Sequence, residues 1–216
     1  MTEIKAVAWD IDGTLIDSEP LHLVCLIAVS ARYGVDLSQD PGDRFLGRDM
    51  HWVWDTLRPR FPAALTFETW LAEILDAYVE SASTLVPRPF VIEAMHRLHQ
   101  AGIRQVCVSN SERRVVDANL AALGVAQLLE FSISRDDVPV GKPDPTPYRE
   151  ACLRLGLKPT AVMAVEDSQS GLMSAMAAGL QVTFIADHEN NLDTRRKAVD
   201  TLLAGCSIES AKIATG

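Results

Sequence analysis

No apolar run in this 216-residue chain approaches the ~20 residues that span a bilayer, which argues against a transmembrane helix. The N-terminus, Met1-Thr2-Glu3-Ile4-Lys5, has no basic segment ahead of an apolar signal core, so a cytoplasmic address is expected. Positive charge is also in short supply. Lys and Arg number 20 against 29 Asp and Glu, and the formal charge of -9 disfavours both nucleic acid and anionic membranes as partners. Close cysteine pairs are missing: Cys25, Cys107, Cys152 and Cys206 lie too far apart in sequence for a zinc knuckle or redox dithiol and read as reduced, buried thiols. There is no internal repeat, low-complexity tract or Gly-Ser hinge.

What remains is an ordinary globular mixture, 48% hydrophobic and 23% charged, long enough for one large domain or two modest ones. Ile4 to Trp9 is a short apolar run ending in acidic and turn residues, and Gln105 to Val108, Ala161 to Val165 and Val182 to Ala186 repeat the pattern. Helical stripes lie between them. Val91, Ala94, Met95 and Leu98 form one; Val116, Leu120 and Leu123 another; Tyr148, Ala151, Cys152 and Leu155 a third; Leu172, Ala175 and Met176 a fourth. Gly102, Gly124, Gly156 and Gly179 follow them as helix stops. Alternating strands and helices predict an α/β fold, a parallel sheet flanked by helices.

The interval from Asp10 to Gln105 far exceeds the ~30 residues of a strand-helix-strand unit, so something is inserted. Ser18 and Glu19-Pro20 open a helix that should stop near Gly34, and Leu71, Ile74, Leu75, Tyr78 and Val79 mark a second. The expected division is a core of residues 1–16 and 86–216 and a helical cap of 17–85. An insert just beyond a strand's carboxyl end stands where open sheets bind ligands, which favours a substrate cap over mere elaboration. Its motion would come from the short connections near Asp17 and Pro87.

Asp10 and Asp12, spaced i and i+2 in Asp10-Ile11-Asp12-Gly13-Thr14, can present two carboxylates where the first strand ends, although such a sequence is equally a good turn. Three other presumed strand ends carry Ser109-Asn110, Gly141-Lys142-Pro143-Asp144-Pro145 and Glu166-Asp167-Ser168. Taken singly, Ser109 can cap a helix, the Lys142 segment can be a turn, and Glu166-Asp167 a solvated helix start. Four such coincidences in sequence order are another matter.

In these four segments the chain resembles the haloacid dehalogenase superfamily. The resemblance implies a Rossmann-like sheet with a helical cap inserted after the first motif, and phosphoryl transfer with Asp10 as nucleophile and Asp12 as acid and base. It implies Mg²⁺ held by Asp10, the Asp12 backbone carbonyl, Asp167 and Glu166, with Lys142, Ser109 and Asn110 binding phosphate. An acid at Asp12 argues against dehalogenation, because a halide leaves without a proton.

Asp17-Ser18-Glu19-Pro20-Leu21-His22 resembles the cap entrance of the β-phosphoglucomutase and sugar-phosphatase branch. His22, Gly47 and Arg48 become the substrate-binding candidates in the cap, with Arg44, Arg58 and Arg60 as competitors to Arg48. The mutase's cap cations align with Leu46, Met50 and Glu80, so a phosphatase acting on a small phosphorylated sugar or sugar acid is favoured. A β-phosphoglucomutase-like isomerase is the alternative, and a non-catalytic ligand-binding protein a remoter one. A monomer is the default expectation.

Overall fold

The computed structural model describes residues 3–41, 43–46, 48–185 and 191–208. Contacts divide the chain into two units, residues 1–17 with 86–216, and residues 18–85. The division leaves Asp17 with the first unit, where its carboxylate pairs with Arg88 at 3.4 Å.

The helical unit holds α1 (Glu19–Arg32), α2 (Met50–Leu57) and α3 (Phe67–Ser81). Pro20 sits in the first turn of α1, where its missing N–H costs nothing. Asp49 and Thr66 cap α2 and α3 by accepting backbone N–H bonds. Leu26 and Val29 of α1 and Trp70, Ile74 and Tyr78 of α3 are buried, and Trp54 stacks with Phe61 at a ring separation of 5.7 Å.

The larger unit begins with β1 (Ala6–Trp9) and resumes with α4 (Val91–Gln100), β2 (Arg104–Val108), α5 (Arg113–Leu123) and β3 (Phe131–Ile133). It continues through α6 (Thr146–Leu155), β4 (Val162–Glu166), α7 (Gln169–Ala178), β5 (Gln181–Phe184) and α8 (Leu192–Gly205). All neighbouring strands run parallel, in the order β3-β2-β1-β4-β5. This is the α/β, Rossmann-like architecture expected from the alternating pattern. The chain crosses from one side of β1 to the other between β3 and β4, which creates a switch point at the carboxyl ends of β1, β2 and β4.

Strand alternation divides β1 between two cores. Ala6 and Ala8 pack with Val106, Val108, Val162 and Ala164 against Tyr148, Ala151 and Cys152 of α6 and Ala175 of α7. Small residues on the strands let these helices approach closely. Trp9 faces the other way, and its indole N–H donates to Gln105 Oε1 at 3.0 Å, while Gln105 Nε2 donates to the Met95 carbonyl at 2.9 Å. A glutamine in a buried strand is thereby satisfied on both sides.

β3 has no counterpart in the sequence reading, because three residues are too short for a periodicity. The Ala161 to Val165 run pairs as β4 one residue later than its apolar stretch, ending on Glu166 rather than Val165, and the Val182 to Ala186 run pairs as β5 over Gln181–Phe184, with Ala186 outside the described residues. Gly102, Gly124, Gly156 and Gly179 all take positive φ at helix ends. The four cysteines are buried and free, and burial pushes the Cys152 and Cys206 thiols up to about 11. No helix among the described residues is long and apolar enough to cross a membrane.

Candidate active site

Register explains why residues far apart in sequence meet. Trp9 pairs with Cys107 of β2 and with Val165 of β4, so Asp10 emerges level with Val108 and Glu166, one step below Ser109. The Asp10 N–H still bonds the Val165 carbonyl at 2.9 Å, and the Ser109 N–H the Ile133 carbonyl at 2.9 Å, so rigid sheet fixes both positions.

Lys142 enters this floor from the loop before α6. Its Nζ donates to Asp10 Oδ1 at 2.6 Å, Glu166 Oε1 at 2.6 Å and the Val108 carbonyl at 2.8 Å, with all three ammonium donors engaged. Asn110 holds the loop in place. Its side chain accepts from Lys142 N at 2.8 Å and donates to the Lys142 carbonyl at 3.0 Å, so the Asn110 side-chain amide is spent on Lys142's own peptide. Gly141 is required there, because a Cβ would fall 2.5 Å from Asn110 Oδ1.

Asp10, Glu166 and Asp167 bring carboxylate oxygens within 4.8 Å of one another. Burial, then repulsion from Glu166 and Asp167, outweigh Lys142 and raise Asp10 well above the usual carboxylate range. Burial and Glu166 likewise raise Asp167 to about 6. Burial opposes the Lys142 charge, but Asp10 and Glu166 prevail and raise that group, so it stays an ammonium. Three hard-oxygen acids thus share one fixed cation in a buried place. That donor set suits a hard divalent cation, which retains its charge where protonation would otherwise relieve the crowding.

The Asp12 carboxylate goes elsewhere. Its Oδ2 accepts from Ser109 Oγ at 3.2 Å and Ser111 Oγ at 2.8 Å, and its Oδ1 from Asn119 Nδ2 at 3.1 Å. Ser109 therefore engages Asp12 directly, and Ser111 and Asn119 join a group that sequence reasoning had confined to Ser109 and Asn110. Asn119 sits on the buried face of α5 beside Val115, Val116 and Leu120. An asparagine interrupting an apolar stripe was the available signal.

Four more residues support the floor. Thr14 Oγ1 donates to Asp167 Oδ1 at 3.2 Å, and Arg195 of α8, buried and lowered to about 10 by burial and by Arg88, donates to the Thr14 carbonyl. The Tyr148 hydroxyl donates to Glu166 Oε1 at 2.5 Å. Gly171 leaves the room that Glu166 occupies: a Cβ there would lie 1.9 Å from Glu166 Oε2.

Within the helical unit, His22 stacks on Tyr78 at 4.2 Å. Arg44 and Arg60 bind Asp40, and Arg58 donates to the Phe61, Pro62 and Ala63 carbonyls, so these competitors are committed locally. Arg48 is exposed, its guanidinium 5.0 Å from the Trp52 ring centroid. Gly47 lies outside the described residues.

A family model for haloacid dehalogenase-like hydrolases matches residues 4–179, and the chain belongs to that family. Validoxylamine A 7'-phosphate phosphatase of Streptomyces hygroscopicus is 29% identical, over 82% of this chain and 83% of its own length. A phosphoglycolate phosphatase of Pectobacterium atrosepticum is 32% identical, over 83% and 79%. The crystal structure of CbbY from Rhodobacter sphaeroides in complex with phosphate superposes with a TM-score of 0.75 at 25% identity, covering 85% of this chain and 87% of that one. Within the family the chain falls in the β-phosphoglucomutase and sugar-phosphatase-like branch, as a phosphoric monoester hydrolase.

Proposed function

We propose that the chain is a Mg²⁺-dependent phosphatase of a small phosphorylated sugar or sugar acid, working through an aspartyl phosphate on Asp10. The observation that carries this reading is the acid cluster of Asp10, Glu166 and Asp167 around a single ammonium, with Asp12 held separately on neutral donors. Relatives named as phosphatases of validoxylamine 7'-phosphate, phosphoglycolate and N-acetylmuramic acid 6-phosphate support the substrate class.

Asp10, Glu166 and Asp167, with the Asp12 carbonyl, would hold the Mg²⁺, which supplies Lewis-acid charge at the phosphoryl oxygens. Lys142 offsets negative charge on Asp10 while keeping it oriented. In the first half-reaction an Asp10 oxygen bonds to phosphorus, the ester P–O bond breaks, and Asp12 gives its proton to the departing alkoxide. In the second, Asp12 takes a proton from water as the water oxygen bonds to phosphorus and the P–O bond to Asp10 breaks. One carboxylate therefore serves both steps, and inorganic phosphate leaves. Ser109, whose hydroxyl lies at the same strand end, serves phosphate binding, and Asn110, its side chain engaged by Lys142, would contribute through its backbone N–H. His22, Gly47 and Arg48 are the substrate-selecting candidates that the sequence resemblance supplies.

A phosphorylated-metabolite screen with Mg²⁺, reading phosphate and isomeric products together, tests the proposal. Phosphate release abolished by Asp10→Asn is expected. Folded, Mg²⁺-loaded protein that releases no phosphate from any ester would overturn it, and interconversion without net phosphate release would favour the isomerase.

A further inference from the structure

Asn119 is fully buried on α5, where an apolar residue would continue the stripe of Val115, Val116 and Leu120. Burying a carboxamide in a helix face is unfavourable unless its polar atoms are bonded. Here Nδ2 reaches out of the stripe to Asp12 Oδ1 at 3.1 Å, while the Ser109 and Ser111 hydroxyls hold Oδ2. The two Asp12 oxygens are thus fixed from different elements: Oδ2 by the loop after β2, Oδ1 by a helix. A carboxylate gripped at one oxygen alone still rotates about its last bond; gripped at both, it presents a single orientation.

We propose that Asn119 is a positioning residue for Asp12, setting the carboxylate orientation from which a proton passes to the leaving oxygen in the first half-reaction and arrives from water in the second. The inference rests on the phosphatase reading above and deepens it. Asn119 itself touches no reacting atom. Its removal should mimic partial loss of general acid-base catalysis, worth ~10²- to 10⁴-fold in such reactions, rather than loss of the nucleophile or of phosphate binding.

That difference is measurable through the leaving group. 4-Nitrophenolate departs without a proton, whereas the alkoxides of glucose 6-phosphate, glycerol 1-phosphate and phosphoglycolate need one. The ratio kcat/KM reports the step up to ester cleavage. Asn119→Leu should therefore lower kcat/KM for the alkyl esters by roughly 10- to 100-fold and for 4-nitrophenyl phosphate by less than about threefold. Because the second half-reaction still needs Asp12, the variant should also release about one equivalent of nitrophenolate in a burst before a slowed steady state. Ser111→Ala, which removes a donor from the other oxygen at a half-buried position, should show the same asymmetry more weakly and serves if Asn119→Leu does not fold.

Equal losses for alkyl and aryl esters in both variants, with no burst, would overturn the proposal while Asp12→Asn retained the leaving-group asymmetry. If wild-type protein with Mg²⁺ hydrolyses neither 4-nitrophenyl phosphate nor any alkyl ester of the metabolite screen, the phosphatase reading falls, and the inference with it; an alkyl ester that the screen does find replaces those three in the comparison.

Discussion

Glu166 is wholly buried, and the space it fills exists because residue 171 has no side chain. Gly171→Ala places a Cβ 1.9 Å from Glu166 Oε2 and 2.0 Å from its Cδ. Ordinary contact requires the carboxylate to retreat by about 1.5 Å, further than the 2.6 Å bond from Lys142 Nζ or the bond from Tyr148 can stretch and survive. Overpacking of this kind costs about 1–3 kcal/mol. Alanine in a helix regains up to about 1 kcal/mol over glycine, and α7 accommodates it without a positive φ. The net loss of stability should lie between about 0 and 3 kcal/mol, below the total stability of an ordinary domain, so the variant folds. The cation site should suffer more, since misplacing a ligand or its supports lowers metal affinity by about 10- to 100-fold. Urea denaturation measures the first quantity, and Mg²⁺ titration by calorimetry and by activity the second. A Gly171→Ala protein that folds normally and keeps its Mg²⁺ affinity within twofold would refute the claim that Glu166 depends on this gap.

Lys142→Met leaves Asp10 and Glu166 buried without their ammonium, and breaking such a pair costs about 3–5 kcal/mol. The loss should show in urea denaturation with the metal chelated and should shrink when Mg²⁺ is added; stability within about 1 kcal/mol of wild type would refute the accounting. Asp167 is held at about 6 against 3.8 in an unfolded chain, so folded, metal-free protein binds more protons than unfolded chain through that window, and its stability falls as pH rises through it. Mg²⁺ needs the deprotonated acid, so its effect on Tm should be larger at about pH 8 than at about pH 5; an equal effect at both would count against Asp167 as a ligand.

The sequence disclosed the parts of the floor that interrupt a pattern. Asp10, Ser109 and Glu166-Asp167 are polar residues at the ends of buried apolar runs, and strand ends at a switch point are where a parallel sheet gathers its chemistry. Lys142 was legible only as one of four ordered segments. Supporting residues were hidden because each also satisfies an ordinary role. Tyr148 reads as one more apolar position in the stripe of α6, and its hydroxyl bond to Glu166 leaves no trace in periodicity. Gly171 reads as a weak helix residue until the Glu166 carboxylate is seen against it. Arg195 lies in a polar stretch with no recognisable spacing, yet α8 carries it back to the Thr14 carbonyl, 181 residues away in sequence. The short β3 escaped for a different reason: two partly buried residues and one buried residue make no periodic signal.

The split between Asp10 and Asp12 follows from charge as much as from geometry. Were both carboxylates in the cluster with Glu166 and Asp167, four acids would face one ammonium, and burial would push protons onto whichever acid was least supported. The fold avoids this by giving Asp12 neutral donors, two hydroxyls and an amide, while Asp10 receives the Lys142 charge. Donors on both oxygens hold the Asp12 carboxylate in one orientation, the geometry that the proposed proton transfers require. At Asp10 the Lys142 ammonium opposes burial and repulsion without overcoming them, so the proposed nucleophile relies on the proposed Mg²⁺ as well to remain an anion. Two aspartates separated by a single residue are in this way given different partners by the elements that flank them, the Lys142 loop on one side and α5 on the other, as the two roles proposed for them require.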